Sequence, residues 1–203
     1  QTVLNNQDMS QYHNLVLNML NYGAMAQLYF EHNDGNLANV GNEIEYPAQV
    51  PGETMEIVKE GEVSGISFYG ASLLYLNKIA VRYYFTAPNG TEGYTFKVGD
   101  TSYEAIKKGD LYYVEIPGIN PQEYRDIITL TVSNGTSSQS IGYIPMHYIT
   151  RMYNRDTTAE SLKNLLCAMY GYHLAADGTI NSVNTSSSLL ITEGYDSSEK
   201  YVV

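Results

Sequence analysis

Tryptophan is absent from this 203-residue chain, and cysteine occurs once. Without tryptophan, any aromatic surface must be built from tyrosine or phenylalanine. With a single cysteine, no internal disulfide can form. Cys167 lies in the run Leu165-Leu166-Cys167-Ala168-Met169, an apolar helical pattern in which a thiol serves as a small hydrophobe rather than a nucleophile. Positive charge is scarce: Lys+Arg is 11 against Asp+Glu 22, a net charge of −11. No Lys/Arg cluster is present, which argues against a phosphate-backbone footprint and so against nucleic-acid binding. The same scarcity argues against docking on anionic membranes, and no apolar run approaches the ~20 residues of a membrane span.

Chemical motifs are also missing. None of His13, His32, His147 and His173 pairs with another histidine or with Cys167 at zinc-ligand spacing. There is no G-x-S-x-G elbow and no glycine-rich phosphate loop. Asn33-Asp34-Gly35-Asn36 lacks the spaced acidic ligands and terminal glutamate of a calcium loop and reads as a turn. No cofactor and no metal are expected. Glycoside hydrolysis needs two carboxyl groups facing each other across a cleft. Glu43 with Glu45, and Glu60 with Glu62, stand two apart and would project in parallel from a strand.

What the chain has instead is tyrosine, 20 residues of it. Hydrophobic residues make up 43% and charged residues only 16%, so the chain is globular with a weakly charged surface. Its polarity comes from Asn, Ser, Thr, Gly and tyrosine hydroxyls. That composition points to a secreted or cell-surface protein. Tyrosine joins an apolar ring to a polar tip, and therefore suits a β-core and a wet binding face equally well.

Three zones follow along the chain, expected to make one domain over 1–203. Over 8–32, Tyr12, Leu15, Met19, Tyr22, Ala26 and Tyr29 recur at three and four and predict a helix with one apolar stripe. Asp8 or Ser10 can cap it, and His32 to Gly35 can stop it. A loop with Pro47 and Pro51 follows. Over 53–144, short period-two runs separated by turn residues predict seven or eight antiparallel strands. Ile79, Val81, Tyr83 and Phe85 form one such inward set, with Tyr94, Phe96 and Val98, then Tyr112, Val114 and Ile116, then Ile128, Leu130 and Val132. Pro88-Asn89-Gly90, Lys108-Gly109-Asp110 and Asn134-Gly135 are the turns. Over 145–176, Pro145 opens a short helix to Tyr153, and Thr157-x-x-Glu160 reads as a capping box ahead of a second helix ending near Ala176. Over 177–203 a loop, a strand at Ser188–Thr192 and a tail are expected. The fold class is α+β, mainly β: an antiparallel sandwich with an N-terminal helix and a C-terminal helical cluster packed on it.

Strand parity sorts the tyrosines. Tyr83, Tyr94, Tyr112 and Tyr143 fall on the apolar sets and belong to the core. Tyr84 and Tyr113 fall on the opposite parity, beside Arg82 and Glu115, and face outward or lie beneath a helix. Tyr148, Tyr153, Tyr170 and Tyr172 lie in the C-terminal helical zone and can line a groove. These six are the candidate ligand-binding residues. Their rings would lie against pyranose C–H faces, while hydroxyls and amides bond the sugar hydroxyls.

Several stretches together carry a family likeness. They are Tyr22-Gly23-Ala24-Met25-Ala26-Gln27-Leu28-Tyr29-Phe30 with Asn36-Leu37-Ala38-Asn39, then Phe68-Tyr69-Gly70-Ala71-Ser72-Leu73 leading to Ile79–Phe85. Gly109-Asp110-Leu111-Tyr112-Tyr113-Val114-Glu115-Ile116-Pro117 and Leu165–Tyr172 complete the set. From about Tyr12 to Ala176 the chain resembles a module of large secreted proteins of gut Firmicutes, where it accompanies leucine-rich repeats and dockerins. It is similar to parts of amylosome starch-adherence proteins. The resemblance implies an extracellular setting, neighbouring modules and starch or another α-glucan as ligand. It also implies that an earlier β-rich segment normally precedes the first helix, so that the chain is a fragment or has lost that lobe. It assigns no binding residue.

The expectation is a non-catalytic extracellular carbohydrate-binding module for a polysaccharide or oligosaccharide, working by tyrosine stacking, with no nucleic-acid partner and no membrane insertion. A structural or protein-interaction module of a multidomain surface protein is the alternative. A glycosidase-like enzyme is the weaker one.

Overall fold

The computed structural model describes residues 12–31, 50, 52, 56–75 and 78–178. The chain divides into two compact units: Thr54–Tyr148, and a second made of Gln1–Glu53 together with Ile149–Val203.

The first unit is a sandwich of two antiparallel sheets. One has five strands in the order β1 (Val58–Gly61), β9 (Ser138–Tyr143), β8 (Ile128–Ser133), β4 (Thr95–Val98) and β5 (Thr101–Tyr103). The other has four, in the order β2 (Ser67–Tyr75), β3 (Ile79–Thr86), β7 (Leu111–Pro117) and β6 (Ala105–Lys108). From Val81 onward the predicted alternation holds in β3, where Val81, Tyr83 and Phe85 are buried between half-buried Arg82, Tyr84 and Thr86; at its start Ile79 is half-buried and Ala80 buried. The inner faces meet through aromatic rings. Phe85 and Phe96 approach to 5.7 Å between centroids, and Tyr83 and Tyr143 meet edge to face at 6.3 Å. Such contacts contribute about 1 kcal/mol each beyond the area they bury. The Tyr83 hydroxyl crosses the core to donate to the Ile128 carbonyl at 2.6 Å, so burying it leaves no orphaned polar atom.

Among the described residues nine strands form where seven or eight are expected. The additional pieces are β5 and β6, short edge strands whose residues are mostly exposed, so neither carries an apolar alternation. Tyr94 departs from the expected inward set. It is half-buried ahead of β4, and its hydroxyl donates to the Ser64 carbonyl at 2.7 Å. A capping box does form, but at Asn120: the Glu123 carboxylate accepts from the Asn120 backbone N–H at 2.8 Å and from its side-chain amide at 2.9 Å. It opens a 3-10 turn, Pro121–Arg125, that carries the buried Tyr124.

Helix α2 (Pro145–Tyr153) begins in the first unit and ends in the second. In the second unit, among the described residues, α1 (His13–Phe30) packs along α3 (Glu160–Ala176). On α3, Leu162, Leu165, Leu166 and Met169 are buried as predicted, with Cys167 among them. Its N-cap is Ala159, without a side-chain cap bond, so Thr157 does not cap it. Thr158 turns back instead, its N–H donating to the Arg155 carbonyl.

The expected stripe on α1 is displaced. Tyr12 and Met19 are exposed, while Asn18, Asn21, Ala24, Met25 and Gln27 are buried. Periodicity tracks side-chain polarity, and here amides occupy buried positions; the Asn18 amide donates to the Asn14 carbonyl at 2.9 Å and to its side-chain oxygen at 3.1 Å. The expected caps at Asp8 and Ser10, the stop at His32 to Gly35, most of the following loop and the strand at Ser188–Thr192 lie outside the described residues.

Candidate functional site

The outer face of the four-stranded sheet is built by register. Arg82 stands between Ser72 on β2 and Glu115 on β7, and Tyr84 stands between Gly70 and Tyr113. Tyr113 in turn faces Ile106 on β6. Two rows therefore lie side by side on one face, Ser72–Arg82–Glu115 across three strands and Gly70–Tyr84–Tyr113–Ile106 across four.

The rows are tied together. Tyr84 and Tyr113 pair at 6.3 Å between ring centroids. The Arg82 guanidinium lies over the Tyr113 ring at 4.1 Å, within the range of a cation–π contact. Its Nε and Nη2 both reach Glu115 Oε2 at 2.7 Å, leaving Oε1 outside that pair. Ser72 Oγ donates to the Tyr84 hydroxyl at 3.3 Å. Desolvation works against the Arg82 charge, but hydrogen bonding to Glu115 and Tyr84 and the Glu115 charge outweigh it, and the guanidinium is held more firmly protonated than usual. The result is a tied cluster of two rings, tilted 51° to each other, and a guanidinium, with hydroxyl and carboxylate oxygens at its margin.

A bulge opens space beside this patch. Between Phe68 and Gly70 the β2–β3 register shifts by one residue. Phe68 faces Phe85 on the inner side, while Gly70 faces Tyr84 on the outer side, so Tyr69 is the extra residue. Tyr69 is 70% exposed, the most exposed large hydrophobic among the described residues. Gly70 contributes no side chain, and a Cβ placed there would meet nothing within 4 Å. The outer row thus has a ring pair, a gap and a projecting tyrosine.

The six candidate tyrosines are divided between the two units, three in each. Tyr84 and Tyr113 form the pair just described. Tyr148 packs edge to face on Tyr75 at 5.9 Å. Tyr75 pairs with Ile79, and Tyr84 lies about 17 Å further along β3 at ~3.4 Å per residue and on the other face. Tyr153, Tyr170 and Tyr172 belong to the helical unit. Tyr170 is only 8% exposed and tilts against His173 at 6.4 Å. Tyr172 stacks on Tyr22 at 5.9 Å, and burial followed by the neighbouring Tyr172 raises the Tyr22 hydroxyl pKa. Burial, then Cys167 and Glu160, likewise raises that of Tyr153. Of these four Tyr170 is buried, while Tyr148, Tyr153 and Tyr172 are half-buried.

Arg82 and Glu115 were visible beside the tyrosines in sequence, but their pairing across β3 and β7 depends on register. Ser72, Tyr69 and Gly70 were not identifiable, because the bulge inverts parity at that point. Among the described residues no group of three or more His, Cys, Asp or Glu could hold a metal ion, and no helix is long and apolar enough to cross a membrane. Comparison with protein-family models, curated proteins and solved structures found no match to this chain.

Proposed function

We propose that the sandwich is a non-catalytic carbohydrate-binding module that holds a glycan on the outer face of its four-stranded sheet. The observation that carries this is the outward Tyr84–Tyr113 pair, locked by Arg82 and Glu115 beside the open position at Gly70. A preformed apolar face with polar groups at its margin matches a pyranose, which is apolar on its C–H faces and hydroxylated around its rim. In this reading a sugar ring rests on Tyr84 and Tyr113, while Glu115 Oε1, the Tyr84 hydroxyl and Ser72 exchange hydrogen bonds with its hydroxyls. Tyr69 flanks the next unit. Preorganisation lowers the ordering cost of binding.

An α-glucan is the first ligand to test, and an extracellular setting belongs to the same proposal; both rest on the likeness to starch-adherence modules and on composition. Retardation in native gels containing starch, pullulan or xylan tests the reading. No retardation by any of them would reject it, and release of reducing sugar would replace it with an enzymatic one.

A second reading, a protein-interaction module, is favoured by a different spot. On the outer face of the five-stranded sheet, Val58 and Ile127 are 50% and 57% exposed and flank Gly142 in a notch of about 210 Å³. Capture of a neighbouring module through this notch, lost in Ile127→Asp, with no glycan retardation, would select that reading.

A further inference from the structure

The sandwich has a second recess, on the flank where β1 and β2, the outermost strands of the two sheets, come together. Its volume is about 320 Å³, roughly ten waters at their liquid share of ~30 Å³ each and near the lower limit for ligand pockets. Phe68, Lys59, Glu62, Gln139 and Ser67 line it, with Val63 and Ile66 behind.

The construction is specific. Phe68 packs its ring on Tyr83 and Phe85 from the edge of the core. Lys59 pairs with inward-facing Ile141 and reaches across the flank until Nζ stands 5.9 Å from the Phe68 ring centroid. Gln139 donates its side-chain amide to the Gly61 carbonyl at 3.2 Å, tying β9 to the end of β1. The connection from β1 to β2 is held at two glycines in the left-handed region. At Gly61 (φ 75°) a Cβ would lie 2.5 Å from the Ser138 carbonyl oxygen, and at Gly65 (φ 81°) it would collide with the Tyr94 hydroxyl. That hydroxyl fastens the turn through the Ser64 carbonyl. The wall bearing Glu62, Val63 and Ile66 is therefore fixed without any ligand.

An inward-reaching lysine on an edge strand is a known guard against strand-to-strand aggregation. That role explains Lys59 but not the recess beside it, nor the gathering of Glu62, Gln139 and Ser67 around a phenyl ring. The lining has one cation and one anion, so it selects neither sign of charge. It offers donors from Lys59, Gln139 and Ser67 and acceptors from Glu62, Gln139 and Ser67, arranged around one aromatic face.

We propose that this recess is a second binding site, which takes a single neutral pyranose unit such as a chain end. It borrows from the reading above only the class of ligand, so the two can fail separately.

The test is a titration of the full chain with glucose and with maltotriose, followed by backbone amide NMR shifts. The expected result is saturable shifts at Lys59, Glu62, Phe68 and Gln139, with dissociation constants of about 1 mM. Glu62→Gln and Gln139→Ala should each weaken them about fivefold, as for one lost hydrogen bond; the melting temperature should be unchanged in Glu62→Gln and slightly lower in Gln139→Ala, which also loses the bond to Gly61. Phe68→Leu keeps the core filled and should abolish them by removing the ring face. Shifts confined to the rows around Tyr84 and Tyr113 would overturn this site and leave the sheet-face reading standing. Shifts at the recess alone would do the reverse. Recess shifts unaltered by Glu62→Gln, Gln139→Ala and Phe68→Leu, or no shifts at saturating sugar, would also overturn it.

Discussion

Arg82 is held between Tyr113 and Glu115 on the outer sheet: the guanidinium sits 4.1 Å above the ring while two of its nitrogens grip one oxygen of Glu115. Lysine has no planar fork with which to do both. Arg82→Lys should therefore lower stability by about 1 kcal/mol and weaken glycan retardation, whereas Arg82→Ala should do both more strongly. A double-mutant cycle between Arg82 and Glu115, read by urea denaturation, should give a coupling of about 1 kcal/mol. A coupling near zero would show that the patch is not locked.

Gly70 is the sharpest test of shape. Its backbone is not left-handed and its Cβ direction is open, so a β-branched residue fits the strand. Gly70→Val should raise stability by about 0.5 kcal/mol, since glycine is unfavourable in strand interiors. It should nonetheless reduce sugar binding by filling the gap beside Tyr84. A gain in stability with undiminished binding would move the ligand elsewhere.

Burial strongly raises the pKa of the Tyr83 hydroxyl, with a further push from Tyr143. A tyrosine favoured as neutral in the fold contributes stability that is complete below its unfolded pKa of 10.0 and declines as pH rises past it. The decline should be about 1.4 kcal/mol per pH unit for this group. Thermal melts from pH 8 to 11 should be level at first and then fall. Tyr83→Phe should flatten the fall, at the expense of about 1–3 kcal/mol for the stranded Ile128 carbonyl. Melts that stay level through pH 11 would contradict this.

In the helical unit, burial pushes the Cys167 thiol up to about 12, and the side chain is closed off on α3. A thiol reagent at pH 8 should label native protein no faster than the unit unfolds, and label it rapidly in urea. Rapid labelling of native protein would show the α1–α3 packing to be open.

Much of this was legible in the chain, and the failures have definite physical origins. Parity fixed which of Tyr83 and Tyr84 is core, because β3 alternates without a break from Val81 to Thr86. The helix from Pro145 to Tyr153 and the end of α3 at Ala176 follow from proline and glycine punctuation. Parity failed at Tyr69, where one inserted residue reverses the faces and hides the place of Gly70 opposite Tyr84. The α1 stripe failed because Asn18 satisfies its own amide within the helix and can be buried. Tyr170 and Tyr172 were candidates by their place in the helical zone; Tyr170 is buried on α3 and Tyr172 stacks on Tyr22, contacts that sequence spacing does not reveal.

The central claim is that a glycan rests on Tyr84 and Tyr113. It is tested most directly by native-gel retardation in starch, pullulan and xylan, comparing the parent chain with Tyr84→Ala and Tyr113→Ala. The account predicts retardation by at least one polysaccharide. Each substitution should weaken it about tenfold, a loss of ~1.4 kcal/mol, while lowering stability by no more than about 1 kcal/mol. Absence of retardation, or retardation untouched by either substitution, would contradict it.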